Sequence, residues 1–314
     1  MLAPTRDGRL VCGPTPLSSS IVQLRSLDVG VRLRYADYGG EGPPIVLLHG
    51  LGGLHLNWMR LAPALTRHGR VLVPDLPGFG GTAPLPAGTT MAGLGATLER
   101  FLEALAPGPV TLGGNSLGGT LSLLFAAQHP AKVASLLLFA PAVPHAYFEP
   151  FDVRAFFTMG AAMLPHFGPE SVRGRAIRVG PERLVREMMA FMTHDRKRIP
   201  QDVLAAHIEE ARARIDKPWV GSAFSDALRS LSWVLVNRLS FGEKVRAIRA
   251  PALVFAGDKD RLVRGRSIRQ MCLLNPAFRF HHWGDVGHVP QLEVPERVIP
   301  LVEPFLAELR RAAA

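Results

Sequence analysis

Gly114-Asn115-Ser116-Leu117-Gly118 constrains the fold of this chain more than any other stretch. It directly follows the apolar run Pro109-Val110-Thr111-Leu112 and directly precedes a helical pattern from Thr120 to Gln128. A strand that passes into a helix through so short a joint must turn sharply. The residue at the apex is then held in strained backbone geometry, with its side chain pushed clear of the main chain. The flanking glycines have a steric reason, because a side chain at Gly114 or Gly118 would collide across the turn. The five letters alone recur by chance in many proteins. With a strand before and a helix after, Ser116 becomes a candidate nucleophile, and such a serine needs partners from elsewhere in the chain.

The surrounding sequence alternates between short apolar runs and helical periodicity. Leu27 to Tyr38 reads as a strand pair or hairpin, broken by Gly39-Gly40-Glu41-Gly42-Pro43. Pro44 to Leu48 is a continuous apolar run, the signature of a strand covered on both faces. A helix-like segment from Trp58 to Thr66 and a strand from Arg70 to Val73 follow. Leu94, Leu98, Phe101, Leu102 and Leu105 recur at helical spacing between Thr90 and Leu105. Val133 to Ala140, Ala252 to Ala256 and Phe278 to His282 read as further strands, with a last helix near Pro295 to Arg310. Strands alternating with helices predict an α/β fold with a mostly parallel central sheet flanked by helices.

One interval breaks that rhythm. From residue 144 to 242 the strand-like runs give way to helical pieces separated by Pro165, Gly168-Pro169, Gly180-Pro181, Pro200 and Pro218. An insertion of this size between two strands reads as a helical cap. The core is then residues 1–143 and 243–314, with 1–26 as an N-terminal extension, and the cap is 144–242. Tyr147, Phe148, Phe151, Phe156, Phe157, Met159, Met163 and Phe167 are expected to pack the cap onto the sheet, some of them lining an apolar substrate chamber.

Composition excludes several classes. At 314 residues, 47% of them hydrophobic, the chain can bury a full core. No apolar run reaches the roughly 18–20 residues that span a bilayer, and the first residues lack the apolar segment of a secretory signal. Cys12 and Cys272 are too few for a disulfide framework, so a soluble, cytoplasmic protein is expected. The net charge of +10 comes from arginines spread along the chain, densest between Arg246 and Arg279. Neither a nucleic-acid motif nor interleaved aromatics accompany them, so no nucleic-acid partner is expected, while weak association with an anionic membrane surface stays open.

A serine hydroxyl needs a base within hydrogen-bond reach, itself oriented by a carboxylate. The strand ending at Ala256 runs into Gly257-Asp258-Lys259-Asp260, and the last strand runs into Gly284-Asp285-Val286-Gly287-His288-Val289-Pro290. Gly287-His288 is followed by Glu293-Val294-Pro295-Glu296. These segments, in this order after the serine turn and over about residues 27 to 310, resemble the α/β-hydrolase family in its lid-bearing, esterase- and lipase-like branch. The resemblance implies Ser116 as nucleophile, His288 as general base and then acid, and Asp260 as the carboxylate that orients the imidazole. Asp258 competes with Asp260 for that role, and His281 and His282 are read as structural.

The same resemblance places the oxyanion donors at the backbone N–H groups of Leu117, after the nucleophile, and Leu51, in His49-Gly50-Leu51-Gly52-Gly53. His49 is expected to anchor that loop, and Asp75-Leu76-Pro77-Gly78-Phe79-Gly80 to serve the fold. Relatives with an aspartate nucleophile attack alkyl carbons, whereas serine suits acyl transfer at a carbonyl. The expected activity is hydrolysis of a small carboxylic ester with an apolar moiety through an acyl-enzyme, with no metal or organic cofactor. Carbon–carbon hydrolysis of the meta-cleavage type, acyl transfer or perhydrolysis by the same triad, and a non-catalytic ligand-binding scaffold remain alternatives. Many carbon–carbon hydrolases of this family carry tryptophan after the catalytic histidine, where this chain has Val289. Arg261 and Arg264, close to Asp260, raise the further expectation of anionic substrates.

Overall fold

The computed structural model describes residues 22–145 and 160–313. Its centre is an eight-stranded sheet of β1 (Gln23–Asp28), β2 (Arg32–Gly39), β3 (Ile45–Leu48), β4 (Val71–Pro74), β5 (Val110–Asn115), β6 (Val133–Phe139), β7 (Ala252–Gly257) and β8 (Phe278–Trp283). The spatial order is β1-β2-β4-β3-β5-β6-β7-β8. The β1–β2 and β2–β4 pairs are antiparallel, and every other pair is parallel. This is the α/β-hydrolase fold, a mostly parallel sheet with helices on both faces.

The continuous apolar runs follow from that double coverage. In β3, Val46 and Leu48 enter one core cluster while Ile45 and Leu47 enter the other; in β6, Leu136 and Leu138 oppose Leu137 and Phe139 in the same way. On the first face lie α1 (Met91–Leu105), α2 (Leu117–Gln128), α7 (Arg238–Ala247) and α8 (Gly265–Cys272). The second face is covered by the short helix Ala62–Leu65 and by α9 (Pro295–Ala313), whose Val298, Val302, Phe305 and Leu306 fall on one helical stripe. Thr90 caps α1 by accepting the Gly93 N–H at 3.1 Å, which fixes where that helix starts.

Between β6 and β7 the described residues form no strand. They build α3 (Phe167–Val179), α4 (Pro181–Met192), α5 (Gln201–Arg214), α6 (Val220–Val236) and then α7. Val185, Met189, Ile199, Val203, Ile208 and Ala211 make a separate small core within this insert, closed by Val289 and Leu292 from the far side of the sheet sequence. Phe241 and Val245 of α7 already belong to the main core. Of the aromatic and methionine residues expected to pack the insert, Met163 and Phe167 are exposed at the surface, and the others lie outside the described residues.

Two local differences from the sequence pattern have simple causes. β1 begins at Gln23, inside the stretch read as an extension, and its side chains are mostly exposed, so an edge strand left almost no apolar alternation to detect. The single helix expected from Trp58 to Thr66 is a 3-10 turn, His55–Trp58, followed by the short helix Ala62–Leu65. Pro63 at the start of that helix cannot donate to a continuous one.

The register brings the carboxyl ends of the central strands together, with Leu48 opposite Gly114, Asn115 opposite Phe139, and Gly257 opposite Trp283. Ligand sites of open α/β sheets form along this edge.

Candidate active site

Ser116 sits between β5 and α2 with φ 52° and ψ −117°, a left-handed conformation that a residue with a Cβ rarely adopts. Hydrogen bonds fasten the strained unit on both sides. The Ser116 N–H donates to the Phe139 carbonyl at 3.1 Å, and the Ser116 carbonyl accepts from Thr120 N at 3.0 Å and Ala142 N at 3.1 Å. A Cβ at Gly114 would run into the Gly118 carbonyl, and one at Gly118 into the main-chain carbonyls of Leu48 and His49. The turn is therefore as tight as the spacing of the two glycines suggests.

His288 lies in the loop after β8, 28 residues beyond Asp260, and its Nδ1 is 2.7 Å from the Asp260 Oδ2. Both side chains are buried. A carboxylate only accepts, so Nδ1 carries the donating proton, and in the neutral ring Nε2 is the nitrogen left to accept one. The other oxygen of Asp260 accepts from Leu262 N at 2.7 Å and Val263 N at 2.9 Å, which fixes the carboxylate that fixes the ring. Asp258 goes elsewhere: it is exposed and lies 3.9 Å from His282, also exposed. The G-x-x-D offset thus separates the two aspartates.

Asn115, unnoticed in the sequence beyond its place in the motif, joins the two halves of the site. Its Nδ2 donates to the Phe139 carbonyl at 2.9 Å and to the His288 carbonyl at 3.0 Å. The histidine loop is thereby tied to the serine turn by the neighbouring side chain. The signal was available only as a buried polar residue at a strand end.

His49 anchors the loop that follows β3. Its Nε2 accepts the Leu76 N–H at 2.9 Å, leaving Nδ1–H to donate to the Gly50 carbonyl at 2.8 Å. Burial pushes its pKa down to about 4, so it stays neutral and keeps both roles. Gly50 lies against the serine turn: a Cβ there would stand 3.2 Å from the Ser116 Cβ. Arg214 of α5 donates to the Gly52 carbonyl at 3.0 Å, so the insert also holds this loop.

Asp75 is fully buried, and its carboxylate collects the His55 ring Nδ1 (3.0 Å) and backbone N (2.7 Å), Arg34 Nε (2.6 Å) and Gly81 N (2.8 Å). These hydrogen bonds and charges outweigh the cost of burial and hold its carboxyl well below the usual carboxylate range. Arg34 continues to Glu210 of α5 through a bidentate pair at 3.0 and 2.7 Å. Asp75 thereby braces β2, β4 and the insert, a structural use.

Ser116 and His288 open onto one cavity of about 180 Å³, together with Gly50, Leu51 and Asn115. Its walls are mostly apolar, with Ala142 and Val143 after β6, Met188 and Met192 of α4, Leu228, Leu231 and Leu235 of α6, and Leu262 and Val263, while Asn57, His145 and Ser232 are their polar members. Among the described residues no arginine or lysine lines it. Arg261 donates to the Ala190 carbonyl at 3.3 Å and leans on the Phe191 ring, and neither it nor Arg264 is among the residues lining the cavity.

The sequence matches the family model for the alpha/beta hydrolase fold over residues 43–295. The chain belongs to the α/β-hydrolase family. This hydrolase is 32% identical over 274 residues to the 2-hydroxy-6-oxo-2,4-heptadienoate hydrolase of Pseudomonas putida, covering 85% of this chain and 90% of that protein. It is 26% identical over 287 residues to Lipase 1 of Psychrobacter immobilis, covering 88% and 81%. Among solved structures it resembles a membrane phospholipase A described as a bacterial virulence factor, with a TM-score of 0.71 and 26% identity over 92% of this chain and 87% of that one. A haloalkane dehalogenase reconstructed as ancestral shares the fold at TM-score 0.78 and 20% identity, covering 92% and 100% of the two chains. No helix among the described residues is long and apolar enough to cross a membrane.

Proposed function

We propose that this hydrolase cleaves neutral carboxylic esters with an apolar acyl or alcohol part through an acyl-enzyme on Ser116. The observation that carries this reading is His288, paired with Asp260 at 2.7 Å, opening together with Ser116 onto one mostly apolar cavity. In the first half-reaction His288 Nε2 takes the Ser116 hydroxyl proton as Oγ bonds to the ester carbonyl carbon. The resulting oxyanion is held by the N–H groups of Leu51 and Leu117, an arrangement in which each donor is usually worth about 3–4 kcal/mol. His288 then returns the proton to the departing alcohol. In the second half water loses a proton to His288, attacks the acyl carbon and releases the carboxylic acid, restoring Ser116. Asp260 stabilises the imidazolium formed in each half. Residues 144–242 act as a cap, whose α4 and α6 side chains set the acyl pocket.

The relationship to the heptadienoate hydrolase supports a second reading, carbon–carbon bond hydrolysis by the same residues. Such a substrate is a carboxylate anion, and burying it without a cation is costly. The absence of arginine and lysine among the described lining residues favours the neutral ester. Acyl transfer or perhydrolysis would share the first half-reaction and differ only in the second nucleophile, so competing acceptors and product analysis separate them. The test is Ser116→Ala assayed beside the parent on p-nitrophenyl esters of short and medium chain length. We expect turnover by the parent and a loss of about 10⁴-fold or more in the variant. Equal turnover by both would remove Ser116 from the mechanism.

A further inference from the structure

Glu293 heads the segment Glu293-Val294-Pro295-Glu296, five residues past the histidine, and none of the steps above uses it. It is fully buried, with 0% of its surface exposed. A buried carboxylate without hydrogen bonds is expensive, so its partners show what holds it there. One oxygen accepts the N–H of Gly287, next to His288, at 2.8 Å. The other accepts the N–H groups of His194 and Asp195, each at 3.0 Å, from the segment that leaves α4, and the His194 N–H also reaches the first oxygen at 3.2 Å. One side chain therefore binds the histidine loop and the helical insert at once.

Further contacts run in parallel. The His288 N–H donates to the Met192 carbonyl at 2.6 Å, joining the same two segments beside the carboxylate. Gly287 has no room for a side chain, since a Cβ would run into Met192 O and stand 2.8 Å from His194 N. Arg198 of the insert lies 3.6 Å from Glu293 and donates to both the carbonyl and the carboxylate of Asp285, at 2.8 and 2.7 Å. The loop carrying His288 is thus held by the insert on one side as well as by Asn115 and Asp260 at the sheet edge on the other.

We propose that Glu293 is a positioning residue that clasps the 192–195 segment of the insert to the 287–288 loop, so that the imidazole is in register with Ser116 only while the insert is seated. The clasp rests on His288 being the base, but its mechanical half does not. The carboxylate itself is not among the residues lining the cavity, so its loss acts through the placement of the base and, of the walls, only through Met192 at the edge of the clasped segment.

The full chain carrying Glu293→Gln tests this. The amide retains one acceptor oxygen and turns an NH2 donor toward backbone N–H groups that met the other oxygen, so the clasp is weakened while side-chain volume is nearly unchanged. Three quantities are read: hydrogen exchange of peptides spanning 192–195 and 285–288, the rate of Ser116 labelling by a fluorophosphonate, and kcat against KM on p-nitrophenyl butyrate. We expect exchange in both segments to rise by about tenfold, because each restrains the other, and labelling and kcat to fall by about tenfold, with KM within about twofold. Exchange unchanged in either segment, or labelling at the parent rate, overturns the proposal. If the glutamine variant does not fold, Glu293→Asp is read by the same criteria, since it keeps the charge but is one methylene too short to reach both sides. Should the parent neither label nor turn over ester, the proposed activity fails, and the exchange data alone decide on the clasp.

Discussion

His207 provides the most quantitative prediction, because its environment converts directly into a pH dependence. It lies buried in α5, with Nδ1 2.8 Å from the Val203 carbonyl and Nε2 enclosed without a partner. Loss of hydration dominates, and Arg214 and His55 add to it, pushing the pKa from 6.5 down to about 4 against the helping bond to Val203. The unfolded chain therefore binds a proton over a pH range in which the folded chain does not. Stability is complete above pH ~6.5 and falls by about 1.4 kcal/mol per pH unit as pH drops toward ~4, which comes to about 2 kcal/mol between pH 7 and pH 5. His49 behaves in the same direction over the same window, also reaching about 4. Replacing His207 with leucine removes one of these two contributions and also the enclosed, unpaired Nε2. The assay is urea unfolding at pH 7, 6 and 5 for parent and His207→Leu. We expect the parent to lose about 2 kcal/mol more than the variant across that span, with turnover at pH 7 unchanged, since His207 does not line the cavity. Equal losses, within about 0.5 kcal/mol, would refute the idea that His207 is held neutral by burial.

Two further substitutions probe the site itself. Asp260→Asn keeps the volume but offers a donor where the His288 Nδ1–H now meets an acceptor, so the ring favours the wrong tautomer; kcat should drop by about 10³–10⁴ with the fold retained, measured by steady-state kinetics and circular dichroism. Gly118→Ala drives a Cβ into the main-chain carbonyls of Leu48 and His49, which cannot yield as a flexible side chain would. Denaturant titration should therefore show a loss of about 3 kcal/mol or more, and a variant of parent stability would mean that the turn is looser than described.

Much of the sheet was legible because burial on both faces leaves a local mark. Ile45 to Leu48 and Leu136 to Phe139 are apolar on successive residues, and no water-exposed position interrupts them. β8 was legible for a different reason, its position before Gly287-His288, since its own pattern is mixed and half exposed. β1 was nearly invisible because an edge strand facing solvent needs no apolar side chains. In the helical insert the length and class were readable but the lining was not. Met188, Met192, Leu228, Leu231 and Leu235 reach the cavity from α4 and α6, whereas Met163 and Phe167, which composition favoured, face outward. An apolar side chain at helical spacing reports that one face is covered; it does not report by what.

The sequence by itself determined the doubly covered central strands and the sharp turn at Ser116. Each of these depends on sterics or hydrogen bonding over a few neighbouring residues. Only the tertiary structure decided that Asn115 ties the serine turn to the histidine loop, that Arg261 turns away from the cavity, and that Glu293 joins that loop to the insert. Those bonds link residues up to 173 positions apart, and a backbone N–H that donates, or a carbonyl that accepts, at such range leaves no trace in the identity of its own residue.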